Sequence, residues 1–109
     1  MSELATKSCE PCRGGVPPLQ GQELERLQRE VPGWKIVEDH HLYRLFHFPD
    51  FKTALEFVNR VGEIAEEQGH HPAIHFTWGK VEITIWTHKI DGLVEADFIL
   101  AAKIDALRK

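Results

Sequence analysis

A chain of 109 residues with 42% apolar side chains is long enough for one hydrophobic core, too short for two, and too apolar to be disordered throughout. Its net charge of −4 excludes nucleic acid as the principal partner, because phosphate backbones select basic surfaces. No apolar run approaches the roughly 20 residues of a membrane span, and the N-terminal residues lack a secretory apolar stretch, so a cytoplasmic enzyme or binding module is expected.

Residues 1–19 read as a flexible leader, because Gly14-Gly15 and Pro17-Pro18 resist regular structure, and residues 20–109 read as the domain. The leader holds the only cysteines, Cys9 and Cys12, as a CxxC. A redox CxxC opens a helix after a strand, and nothing strand-like precedes this one. Two thiolates also make half of a tetrahedral zinc shell, whose other ligands would come from elsewhere. The plainer reading is an arm with two reduced thiols.

Leu24, Leu27 and Val31 stand at helical spacing on a charged background, which predicts a short amphipathic helix over 22–31, stopped by Pro32-Gly33. Two β-prone runs, 34–38 and 42–48, flank the polar turn Asp39-His40-His41 and predict a hairpin. Asp50 is a candidate N-cap for a helix over 51–68, and Gly69 suits its C-terminal stop. On that helix Phe51, Ala54, Leu55, Val58, Val61 and Ala65 form the apolar stripe, widened by Phe57 and Ile64.

A second hairpin follows, with strands 74–78 and 81–87 around Gly79-Lys80. In the later strand Val81, Ile83 and Ile85 alternate with Glu82, Thr84 and Trp86, so His88 continues the second face. Residues 93–107 are helical by period. The order α-β-β-α-β-β-α predicts a two-layer α+β domain: a four-stranded antiparallel sheet with helices on one face.

Histidines supply the chemistry. His70 and His71 follow the end of the long helix, where unpaired carbonyls stabilise an imidazolium by about 0.3–1 kcal/mol. Pro72 drives His71 toward extended backbone, so the two rings should diverge. Glu66 lies one turn upstream, His88 closes a strand, and Asp97 falls in the last helix. Imidazole titrates at about pH 6.5, so such a set can both give and take protons. Exposed loop residues, proton-transfer groups and a metal site all remain open, although neighbouring histidines with diverging rings rarely share an ion. His40, His41, His47 and His75 have no carboxylate or helix-end context as suggestive as this and read as turn or strand positions. Trp34, Trp78 and Trp86 read as core or interface aromatics, with a flat wall for a heteroaromatic guest as the alternative.

The run Glu66-Glu67-Gln68-Gly69-His70-His71-Pro72, followed by Trp78, His88 and Asp97, resembles the signature of the pterin-4a-carbinolamine dehydratases. The likeness extends from Leu24 to Leu107 and includes Pro32-Gly33-Trp34, Phe46-His47-Phe48-Pro49-Asp50-Phe51, and Thr87-His88 before Gly92-Leu93. It implies dehydration of 4a-hydroxytetrahydrobiopterin to quinonoid dihydropterin and water, following an aromatic amino acid hydroxylase. The pterin is substrate, and no cofactor or metal is implied, because ring nitrogen lone pairs expel the leaving water once it is protonated.

By the same resemblance, the catalytic set is His70, His71 and His88: His70 and His88 are acids or bases on either side of the 4a carbon, and His71 mainly holds the pterin and can share in proton transfer. Glu66 and Asp97 are the supporting carboxylates. Pro72, Thr87, Lys89 and Ile90 line the pocket, and Trp34 walls it. Val94 departs from the Ser or Thr that such proteins use to cap the last helix. A homodimer or homotetramer is expected from open sheet edges and from the family. Rival readings are a regulatory dimerisation cofactor that binds a partner through a helix, and a small metal protein that pairs Cys9 and Cys12 with histidines.

Overall fold

The computed structural model describes residues 17–107, so the Cys9–Cys12 motif and most of the expected leader lie outside the described residues. In chain order the elements are α1 (Gln22–Gln28), β1 (Lys35–Val37), β2 (His41–His47), α2 (Phe51–Gln68), β3 (Ala73–Thr77), β4 (Lys80–Ile85) and α3 (Glu95–Ala106). The α-β-β-α-β-β-α order and the α+β class are as expected, with boundaries shifted by a few residues. The two hairpins join through β2 and β4 into one antiparallel sheet ordered β1-β2-β4-β3. β1 and β3 are therefore the edges.

One face of the sheet is apolar and carries the helices. Leu42 and Phe46 from β2, with Val81, Ile83 and Ile85 from β4, are buried there against Val61, Phe98, Leu100 and Ile104. The alternate β4 positions Glu82 and Thr84, with Trp86 just beyond the strand, face outward and are half-exposed. At Leu19 the chain is already tied to the fold, its N–H donating to the Leu93 carbonyl at 2.8 Å.

Helix α2 is set by its ends. Asp50 accepts from the Thr53 N–H at 2.8 Å, and Gly69 takes the left-handed conformation at φ 64°. Its buried stripe is Ala54, Phe57, Val61 and Ala65, so Phe57 is central rather than flanking. Phe51 and Leu55, expected on that stripe, are 48% and 38% exposed. Phe51 stacks instead on Phe76 at the sheet edge, with centroids 5.0 Å apart. Small Ala54 and Ala65 let the helix approach the sheet, and that contact fixes its rotation more strongly than the count of apolar residues does.

Trp34 departs from its expected role as a pocket wall. It is 1% exposed, packs edge-on against Phe46, and donates from Nε1 to Asp105 at 2.9 Å. Arg44 reaches the same carboxylate oxygen at 2.8 Å. Trp34 therefore pins the α1–β1 connection to α3, and its face is not offered to a guest.

Candidate active site

The carboxylate of Asp97 organises the site. α3 begins after Val94, whose side chain has no acceptor for the helix's first N–H groups. Asp97 supplies the missing closure by reaching back to the Val94 N–H at 2.8 Å. The position at the helix N-terminus also favours negative charge. Asp97 is fully buried and accepts two further donors: Thr87 Oγ1 at 2.9 and 3.1 Å, and His70 Nε2 at 2.7 Å. Three donors around one buried carboxylate offset the cost of taking it from water.

An ionised carboxylate has no hydrogen to give, so the proton of this contact resides on His70 Nε2. Nδ1 then carries the free lone pair, and any imidazolium formed at His70 is stabilised by Asp97. The His70 side chain is 15% exposed, so the ring is held by protein but reachable from solvent.

The strand register explains how neighbouring histidines reach different surroundings. Ala73 pairs with Thr84. Three steps back along β3 and three forward along β4 bring His70 level with Thr87 and His71 level with Trp86. Side chains alternate, so His70 turns inward to Asp97 while His71 turns to the outer face. There His71 Nε2 meets the Glu66 carboxylate in an exposed pair. The divergence expected from Pro72 is present.

His88 lies on that outer face, stacked on Trp86 with centroids 4.3 Å apart and planes 28° apart. Among the described residues, no direct hydrogen bond joins His70, His71 and His88 to one another. They lie before β3 and after β4, at the end of the hairpin away from its turn, as three separately held rings: one on Asp97, one on Glu66, one on Trp86. Thr87 fixes the adjoining turn, its carbonyl accepting from the Ile90 and Asp91 N–H groups at 3.1 and 2.9 Å and its N–H donating to Gly92. Lys89 is exposed on this turn, and Ile90 and Pro72 are half-buried.

Two features were missed in sequence. Trp86, not Trp34, is the aromatic beside a candidate catalytic histidine; its signal was present in the β4 alternation, which assigns it and His88 to one face. His40 does have a carboxylate, because its Nε2 lies 2.8 Å from Asp91 Oδ1, and its ring also packs on Trp86 at 5.5 Å. Further along the outer face the Tyr43 hydroxyl donates to Glu82, and that hydrogen bond, with burial and the carboxylate charge, raises the phenol above its usual pKa. Among the described residues no helix is long and apolar enough to cross a membrane.

A family model for pterin 4 alpha carbinolamine dehydratase matches residues 17–107. A protein of Rubrobacter xylanophilus, provisionally named a pterin-4-alpha-carbinolamine dehydratase, is 66% identical over 107 residues, covering 98% of this chain and 100% of its own length. Among solved structures, a transcriptional coactivator/pterin dehydratase of Brucella melitensis superposes with TM-score 0.80 at 31% identity, over 84% of this chain and 99% of that one. A pterin dehydratase-like protein described as a RuBisCO assembly factor in the alpha-carboxysome matches with TM-score 0.61 at 28% identity, over 69% of this chain and 88% of that one. With the match spanning every element from α1 to α3, the chain belongs to the pterin 4 alpha carbinolamine dehydratase family.

Proposed function

We propose that this chain dehydrates 4a-hydroxytetrahydrobiopterin in the cytoplasm, returning quinonoid dihydropterin to the cycle of an aromatic amino acid hydroxylase. The observation that carries the reading is the buried Asp97 bonded to His70. It commits His70 to one tautomer and supports the cation formed when that ring takes a proton. His70 is then the base that removes the ring N–H proton next to C4a. His88, open to solvent and able to be recharged from it, is the acid that protonates the departing 4a hydroxyl. The C4a–O bond breaks, the N–H electron pair becomes the new C=N bond, and water leaves; one proton is given and one taken.

His71, steered by Glu66, and the Trp86 face hold the flat bicycle at this corner, with Pro72, Thr87, Lys89 and Ile90 as its rim. Open edges at β1 and β3, and the exposed Phe51 and Leu55 of α2, support assembly as a homodimer or homotetramer. Those exposed α2 side chains are also what a regulatory partner would bind, which keeps the coactivator role of the Brucella melitensis protein as the second reading.

The test is stopped-flow loss of the carbinolamine absorbance with purified protein. His70→Ala and His88→Ala each slow the step by at least about tenfold with the fold intact, since one general acid or base is worth about 10²–10⁴-fold. His47→Ala, on the opposite end of β2, leaves the rate unchanged. Equal rates in all three variants refute the assignment, and a silent wild-type protein transfers weight to the partner-binding reading.

A further inference from the structure

We infer that His40 is a positioning residue for the His88 acid, bracing the Trp86 indole on which His88 lies; the inference rests on the reading of His88 proposed above. Among the described residues no hydrogen bond holds the exposed His88 ring, and its plane is fixed by the Trp86 indole, 4.3 Å away and 28° from parallel. An acid held this way depends on its support, since a misplacement of about 1 Å can cost about 10²-fold in rate. Trp86 lies just past the end of β4 and is only half-buried, so the indole needs a support of its own.

The start of β2 supplies it. Leu42 pairs with Ile85, so one step back along β2 and one forward along β4 set His41 opposite Trp86 on the outer face. Their ring centroids are 6.0 Å apart, and His40 comes closer, at 5.5 Å. Strict alternation would send His40 to the other face. The preceding turn brings it back. Glu38 and Asp39 both hold left-handed backbone, at φ 53° and 54°, and the His40 N–H closes the turn on the Val37 carbonyl at 2.9 Å.

Two hydrogen bonds then lock the His40 ring. An ionised Asp91 carboxylate can only accept, so His40 Nε2, 2.8 Å from Oδ1, carries the hydrogen. Nδ1 keeps its lone pair and accepts from His41 Nδ1–H at 3.1 Å, with the ring planes 82° apart. Asp91 belongs to the turn that carries His88: Thr87 bridges to Gly92, and the Asp91 N–H donates to the His88 carbonyl at 3.2 Å. The contacts therefore close a circuit, from His88 through Trp86 and His40 to Asp91 and back along the backbone. Removing His40 opens that circuit, while the hydrogen bonds of Asp97 to His70, Thr87 and Val94 do not involve it.

The test reads kcat at saturating carbinolamine in His40→Ala, His88→Ala and the double variant, with the His88 ring protons followed by NMR. His40→Ala is expected to lower kcat by about 3–10-fold, less than removal of the acid, because the acid remains and only its placement is loosened. In the His88→Ala background the same substitution changes kcat by no more than about twofold, because the group it acts through is gone. A residue needed only for folding would slow both backgrounds alike. The His88 ring protons, shielded by the indole in wild type, move downfield in His40→Ala while the His70 signals stay. A His40→Ala kcat within about twofold of wild type, losses that multiply across the two backgrounds, or unmoved His88 signals overturn the inference. A His88→Ala protein that keeps the wild-type rate refutes the acid reading and the inference with it, whereas failure of the brace alone leaves that variant slow. Where His40→Ala folds poorly, nuclear Overhauser contacts in the wild-type protein decide: the indole must show them to both the His40 and the His88 rings, and absence of either overturns the brace.

Discussion

Replacing Asp97 by Asn tests the proposed chemistry with almost no change of shape. The amide can be inserted in two ways. With its nitrogen in place of Oδ2 it confronts the Val94 N–H, now 2.8 Å from another donor, and a buried N–H without an acceptor costs about 1–3 kcal/mol. With its nitrogen in place of Oδ1 it faces His70 Nε2, and Thr87 and Val94 keep an acceptor at the other position. The second arrangement wins by that same margin, a factor of about 5–150 in population. Its consequence falls on His70, whose Nε2 must now accept and whose proton moves to Nδ1. The nitrogen that was free to take a proton no longer is. We expect Asp97→Asn to stay folded, to lose about 10²–10⁴-fold in kcat, and to keep KM within a small factor, since His71 and Trp86 are untouched. Single-turnover stopped-flow reads the rate, and 15N chemical shifts of the His70 ring read the tautomer. A variant with wild-type kcat, or a slow one whose His70 still carries its proton on Nε2, would refute the reasoning.

Other expectations concern the frame. Asp105→Ala leaves the buried Trp34 Nε1–H without its acceptor and is expected to cost about 1–3 kcal/mol in urea unfolding, whereas Asp105→Asn recovers most of the loss; equal stability of the two variants would contradict this. Arg44 shares that carboxylate but is one-third exposed, so water replaces much of its half of the contact. Hydrogen bonding from Thr53, side chain and backbone, together with the nearby Lys52 charge, holds the Asp50 carboxyl below its ordinary value of 3.8. A lowered carboxylate stabilises the fold above its unfolded pKa and loses that contribution as acid takes the pH down through the folded one. The advantage of wild type over Asp50→Asn is thus flat near neutrality and shrinks as pH falls past 3.8, which denaturation at a series of pH values measures; an advantage that grows in acid would reverse the sign.

What could be read in advance was what depends on near neighbours in the chain. Asp50 and Gly69 mark α2 because capping is a contact over three or four residues, and β4 is legible because alternation has a period of two. His70-His71-Pro72 was readable as a corner with diverging rings for the same reason: a proline acts on the residue before it. Contacts that cross the chain were not readable. Nothing near Trp34 says that its indole will meet Asp105, 71 positions away, so an aromatic that is a core pin looks the same as one that walls a pocket. The rotation of α2 likewise depended on which apolar residues meet the rest of the fold, Ala54, Phe57, Val61 and Ala65, and this is how Phe51 and Leu55 came to be exposed.

His40 and His88 make the same point from opposite directions. His88 shares a face with Trp86 by simple alternation, and their stacking follows once the strand continues regularly past Ile85. His40 sits in a turn whose two preceding residues, Glu38 and Asp39, both adopt the left-handed backbone uncommon outside glycine, so its direction could not be derived from period or propensity. Its partner Asp91 is 51 positions away and also left-handed, at φ 55°. Among the described residues, every non-glycine with positive φ flanks this one imidazole pair. Each such residue costs about 1–3 kcal/mol unless the surroundings repay it. The repayment is local: the His40 N–H closes its turn on the Val37 carbonyl at 2.9 Å, and His40 Nε2 meets Asp91 Oδ1 at 2.8 Å.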